Sequence, residues 1–110
     1  MHPRGGKMRK TIHGLRYDTD AAVFLGRATN SLPGAPDYWQ ADLYRTRRAQ
    51  RYFLAGTGGA LSRFAQSAGQ NTWGEGADLI PLTETEARAW ADHFLDEGTV
   101  KKYFPERENA

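Results

Sequence analysis

Cysteine is absent from the chain. That removes disulfides, thiolate metal ligands and thiol nucleophiles together, and nothing in the sequence calls for an oxidising compartment. No apolar run approaches the roughly 20 residues a membrane-spanning helix needs, and the opening MHPRGGKMRK lacks the apolar centre of a secretion signal. The expectation is a cytoplasmic protein with no membrane contact. Histidine is scarce: His2 lies in a polar leader, His13 on a strand, and His93 on a helix beside Asp92 and Asp96. No H-E-x-x-H or comparable ligand spacing occurs, and neither Ser62 nor Ser67 has a base close in sequence. Catalytic residues, a metal site and a cofactor are therefore not expected.

One-sided charge is also missing. Fifteen Lys and Arg against thirteen Asp and Glu leave a net charge of +2, so the overall balance does not demand a polyanionic partner, although local clustering can still attract one. The acidic residues Asp18, Asp37, Asp42, Glu75 and Asp78 are scattered, which gives no basis for an acidic surface imitating DNA. Internal repeats and low-complexity tracts are lacking as well.

What remains is a 110-residue chain with 39% hydrophobic and 12% aromatic residues, enough for one domain with its hydrophobic core and too short for a second domain carrying its own. Residues 1–8 read as a loose leader, 9–105 as the single domain and 106–110 as a frayed tail. TIHGLRYDTD has the β-branched and aromatic content of a strand, expected over 10–17. DAAVFLGRA, 20–28, places Ala21, Phe24 and Leu25 at helical spacing behind a Thr19 cap and predicts a short helix. TNSLPGAPDY predicts a loop.

A β-hairpin is expected next, with strands near 40–46 and 50–56, the polar tip RRAQ, and Leu43 and Phe53 in the core. GTGG matches neither G-x-G-x-x-G nor the P-loop pattern and reads as a tight strand-to-helix turn, leading into a second short helix over ALSRFAQSAG, 60–69. QNTWGEGAD predicts a loop and DLIPL a fourth strand. LTETEARAWADHFLDEG carries a full helix signature: Thr83 as cap, Glu86 closing a capping box, a stripe of Ala87, Trp90, Ala91 and Phe94, and Gly98 as terminator. Thr99 is the expected cap of a further turn stopped by Pro105. The fold class implied is α+β, a small antiparallel sheet of about four strands with the C-terminal helix on one face and one or two short helices.

The stretch LYRTRRAQRYFLAGTGG holds the candidate binding residues. Arg45, Arg47, Arg48 and Arg51 can fork onto carboxylates or phosphates, and Tyr44 and Tyr52 can stack on a partner. Arginines at a hairpin tip also serve simply to solvate it and to guard a sheet edge. Both readings stand at this point. Trp39 and Trp73 lie beside loops, where Trp73 is the candidate interface anchor, while Trp90 belongs to the core.

Taken in order, T-I-x-G-x-x-Y-D-T at 11–19, L-Y-R-T at 43–46, Y-F-L-x-G-x-G-G at 52–59, the tryptophan loop, I-P-L-T at 80–83 and E-A-x-x-W-A at 86–91 resemble small proteins of bacterial plasmids, integrative elements and phages. The likeness spans 10–104, with Thr57 and Ala60 standing where the relatives tend to carry Glu and Pro. It implies a non-enzymatic accessory protein of a mobile element that acts by stoichiometric binding to a host-defence effector subunit, as an anti-CRISPR inhibitor does. The alternatives are a nucleic-acid-binding factor that uses the basic 44–52 hairpin and a small hydrolase.

Overall fold

Strands whose side chains are apolar on both sides need cover on both sides, and the middle of this chain has two of them. The computed structural model describes residues 8–30, 35–59, 66–69, 72–74 and 76–105. In chain order the elements are β1 (Arg9–Ile12), β2 (Leu15–Asp18), β3 (Val23–Thr29), β4 (Trp39–Arg45), β5 (Tyr52–Gly58), β6 (Gln66–Gly69), β7 (Thr72–Gly74), β8 (Gly76–Leu82), α1 (Glu84–Phe94) and α2 (Glu97–Tyr103). Four strands form an antiparallel sheet in the order β3-β4-β5-β8, while β1-β2 and β6-β7 are separate two-stranded pairs.

Side-chain alternation divides β4 and β5 between two cores. On one face Ala41, Leu43, Tyr52 and Leu54 pack with Leu25 and Ala28 of β3 against Ala87, Trp90 and Ala91 of α1 and Phe104 after α2. On the other face Tyr44, Phe53, Ala55 and Leu79 meet Tyr17 of the β1-β2 hairpin, with Ile12, Leu15 and Phe24 packed around them. The result is three layers: helices, sheet, hairpin. Leu43, Phe53 and Leu54 are fully buried, as the alternation predicts for Leu43 and Phe53.

The α+β architecture with a helix on one face of a four-stranded antiparallel sheet follows the expectation. Several elements do not. The strand expected over 10–17 is a hairpin turning at His13 and Gly14, whose φ values of 52° and 78° are those of a two-residue turn twisted to match the strands. The helix expected over 20–28 is strand β3. Phe24 and Leu25 fall at helical spacing from Ala21, yet they serve opposite faces of a sheet covered on both sides.

A bulge between Phe24 and Gly26 inserts one extra residue there. A Cβ on Gly26 would sit 2.7 Å from the Leu95 side chain, so glycine lets Leu95 cover the bulge closely. Thr19 caps no helix. It is buried, accepting from the Met8 N–H at 3.0 Å and donating its own N–H to the Met8 carbonyl at 3.0 Å.

The helix expected over 60–69 is strand β6 at 66–69, where the chain pairs with β7; residues 60–65 lie outside the described residues. The loop expected at QNTWGEGAD contains β7 and the start of β8. GTGG is no turn up to Gly58, since β5 runs extended through it.

Helix α1 has the expected capping box: Thr83 Oγ1 accepts from the Glu86 N–H at 3.0 Å and Glu86 Oε1 from the Thr83 N–H at 2.8 Å. It ends at Phe94 rather than at Gly98, because Asp96 takes an extended conformation and caps α2 through the Thr99 N–H at 3.0 Å. Asp96, not Thr99, is therefore the second cap. Phe94 lies partly off the buried stripe, 39% exposed.

Candidate functional site

Hairpin chemistry builds the site. At the β4-β5 tip Thr46 closes the loop twice, its N–H donating to the Arg51 carbonyl and its Oγ1 accepting the Arg51 N–H, both at 2.8 Å. Gln50 takes a left-handed φ of 55°, which turns the chain back and leaves Arg47, Arg48 and Arg51 exposed. Facing this tip is the turn after β2, held by the Asp20 N–H on Asp18 Oδ1 at 2.9 Å and the Ala21 N–H on the Asp18 carbonyl at 3.2 Å. Arg47 Nε donates to the Ala21 carbonyl at 3.1 Å and ties the two turns together.

Between them lies a groove of about 580 Å³. Leu15, Tyr17, Ala21 and Ala22 supply its apolar surface, and Arg16, Arg47, Arg48 and Arg51 its charge. Asp18 is the acidic residue in the lining. Its carboxylate lies 4.0 Å from Arg9 and accepts the Asp20 N–H, which leaves one acid against four arginines in the lining. Among the described residues, Arg16, Arg48 and Arg51 form no ion pair. Four arginines among the residues lining one concavity raise the positive potential there, and a guanidinium is a planar fork of donors suited to carboxylate or phosphate oxygens.

The structure brings together three of the seven sequence-derived candidates: Arg47, Arg48 and Arg51. Arg45 is half-buried at the end of β4, in register with Val23 and Tyr52, and does not line the groove. Tyr44 and Tyr52 are core residues, 2% and 8% exposed. Tyr44 stacks on Phe53 with centroids 5.2 Å apart, and Tyr52 on Phe104 at 5.3 Å. The expectation that they stack on a partner is corrected accordingly: alternation sends them to opposite faces, and both faces are covered. Trp73 falls in β7, and its side chain lies outside the described residues.

Arg16 is the groove residue that sequence reasoning missed. The signal for it was the pair His13-Gly14, which marks a hairpin and returns Arg16 toward the tip. Also missed was the pair Arg27 and Asp42, neighbours in register on β3 and β4. Arg27 Nε and Nη2 donate to the two oxygens of Asp42 at 2.7 and 3.2 Å, and Asp42 is 1% exposed. The hydrogen bond to Asp42 raises the guanidinium pKa above its ordinary value, outweighing the effect of desolvation.

Other candidate sites gain no support from the geometry. The Gly59 N–H, which an anion at the glycine segment would have to reach, donates to the Tyr38 carbonyl at 2.7 Å. His13 occupies its turn, and His93 sits with its ring 4.4 Å from that of Phe94. Ser62 and the Ser67 side chain lie outside the described residues. Among the described residues no cluster of three or more His, Cys, Asp or Glu can hold a metal ion, and no helix is long and apolar enough to cross a membrane.

No protein-family model, curated protein or solved structure matches the chain.

Proposed function

We propose that the protein acts by stoichiometric binding, docking its arginine-lined groove onto an acidic region of a partner protein. The observation that carries this reading is the convergence of Arg16, Arg47, Arg48 and Arg51 on one concavity from two hairpins. Arginines kept merely for solubility have no reason to share a groove with an apolar floor. The nature of the partner rests on the likeness to mobile-element proteins, and the proposed partner is an effector subunit of a host-defence nucleoprotein complex of the CRISPR type. A nucleic-acid reading uses the same arginines, but the burial of Tyr44 and Tyr52 withdraws the stacking surface that single strands require.

The test is expression in cells carrying an active CRISPR system from a related host. Plaque formation by a targeted phage is restored, and an effector subunit co-purifies in near-stoichiometric amount. Full protection at ratios far below one would point to an enzyme instead. Absence of both restoration and co-purification across the CRISPR types tested refutes the proposed partner.

A further inference from the structure

Resting on the docking reading above, the geometry points to a specific occupant: we infer that the groove takes an extended acidic segment of the partner in which a small aliphatic side chain lies between carboxylates. The floor and the rim demand different chemistry from the same ligand. Leu15, Ala21 and Ala22 offer small aliphatic surface, which gains by burying an alkyl side chain. Tyr17, the aromatic residue in the lining, is 5% exposed and held edge-on to Phe53 with centroids 5.4 Å apart, so its ring gives no platform for a nucleobase.

Arginines line the groove from two hairpins. Arg16 comes from β2, and Arg48 and Arg51 from the hairpin tip, so acidic groups before and after the alkyl residue each meet a guanidinium fork. Arg47, with Nε engaged by the Ala21 carbonyl, holds the walls at this separation. A concavity of about 580 Å³ is the size that encloses a drug-sized ligand and accommodates a short segment rather than a folded surface. The shared preference of arginine for phosphate is what nucleic acid would exploit, and the aliphatic floor with no exposed ring disfavours it.

The experiment is selection of a random-peptide display library on the full chain, followed by fluorescence anisotropy with the most enriched peptide. Enriched sequences are expected to carry Asp or Glu on both sides of Ala, Val or Leu. Changing that aliphatic residue to Ser weakens binding roughly tenfold. Arg48→Ala and Arg51→Ala each weaken it about tenfold, the loss expected for a charge-assisted hydrogen bond, with melting temperatures unchanged because both side chains are exposed. Arg48→Lys recovers part of the loss, since it restores charge without the fork.

The inference is overturned if enriched peptides lack acidic residues, if the arginine variants bind like the parent, or if a random single-stranded oligonucleotide binds more tightly than the peptide. Effector capture separates this outcome from the fate of the proposed function. Capture that survives Arg48→Ala with Arg51→Ala overturns the groove assignment alone. Acidic-aliphatic selectivity without any effector captured supports the groove assignment and refutes the CRISPR partner.

Discussion

Replacing Arg27 by alanine is the most direct probe of how the sheet is held in register. Asp42 sits in β4 with 1% of its surface exposed, opposite Ala55 on one side and Arg27 on the other. Its two oxygens are held by Arg27 at 2.7 and 3.2 Å. Arg27→Ala leaves that carboxylate buried without its partner, a change that typically costs 3–5 kcal/mol. The Arg27 side chain is 33% exposed, so water enters the vacated space and screening lowers the figure to about 3 kcal/mol. At that size the urea midpoint falls by about 1–2 M.

Adding Asp42→Ala to Arg27→Ala removes the stranded charge, so the double variant is less destabilised than the two single losses added together, by about 1 kcal/mol or more. The guanidinium pKa is raised by Asp42. Its stabilisation is thus fully present below the ordinary arginine value and is lost only as pH rises through the raised one, so the Arg27 contribution is the same at about pH 6 and about pH 9. A midpoint for Arg27→Ala within about 0.3 M of the parent, or strict additivity in the cycle, refutes this account.

Trp90→Ala, which empties the α1 side of the core, is expected to cost about 3–5 kcal/mol in urea unfolding; a parent-like curve means that α1 is not packed as described. Gly59→Ala places a Cβ 2.5 Å from the Pro36 carbonyl oxygen and 2.9 Å from that of Ala35, backbone atoms that cannot swing aside. A loss of about 1–3 kcal/mol is expected, and thermal stability equal to the parent contradicts the close approach. The Asp96 carboxyl is pulled below the usual carboxylate value, first by the Thr99 side chain and then by the Thr99 N–H. Its capping is present above the ordinary carboxylate value and lost as pH falls through the lowered one. Helicity measured by circular dichroism should drop on that acid limb in the parent, and Asp96→Ala should show lower helicity already at neutral pH and a smaller acid change.

Local chemistry alone determined α1, because Thr83, Glu86 and the Ala87-Trp90-Ala91 stripe report on one another within two helical turns. The β4-β5 hairpin was legible for the same reason, as alternation and a polar tip are neighbours in sequence. With these came the α+β class and the helix on one face of an antiparallel sheet. Tertiary structure decided whatever depended on a second surface. Ala21, Phe24 and Leu25 looked helical because nothing in their own sequence announces that hairpin and helices cover both faces of the strand holding Phe24 and Leu25. Tyr44 and Tyr52 were read as available for the same reason: exposure belongs to the assembled layers, not to the residue type. Asp96 displaced Gly98 and Thr99 as the boundary between helices through the hydrogen bond it makes to the Thr99 N–H. The groove likewise exists only in the fold, where Arg16 arrives from a hairpin about thirty residues upstream of the tip, brought there by packing between layers that spacing along the chain cannot register.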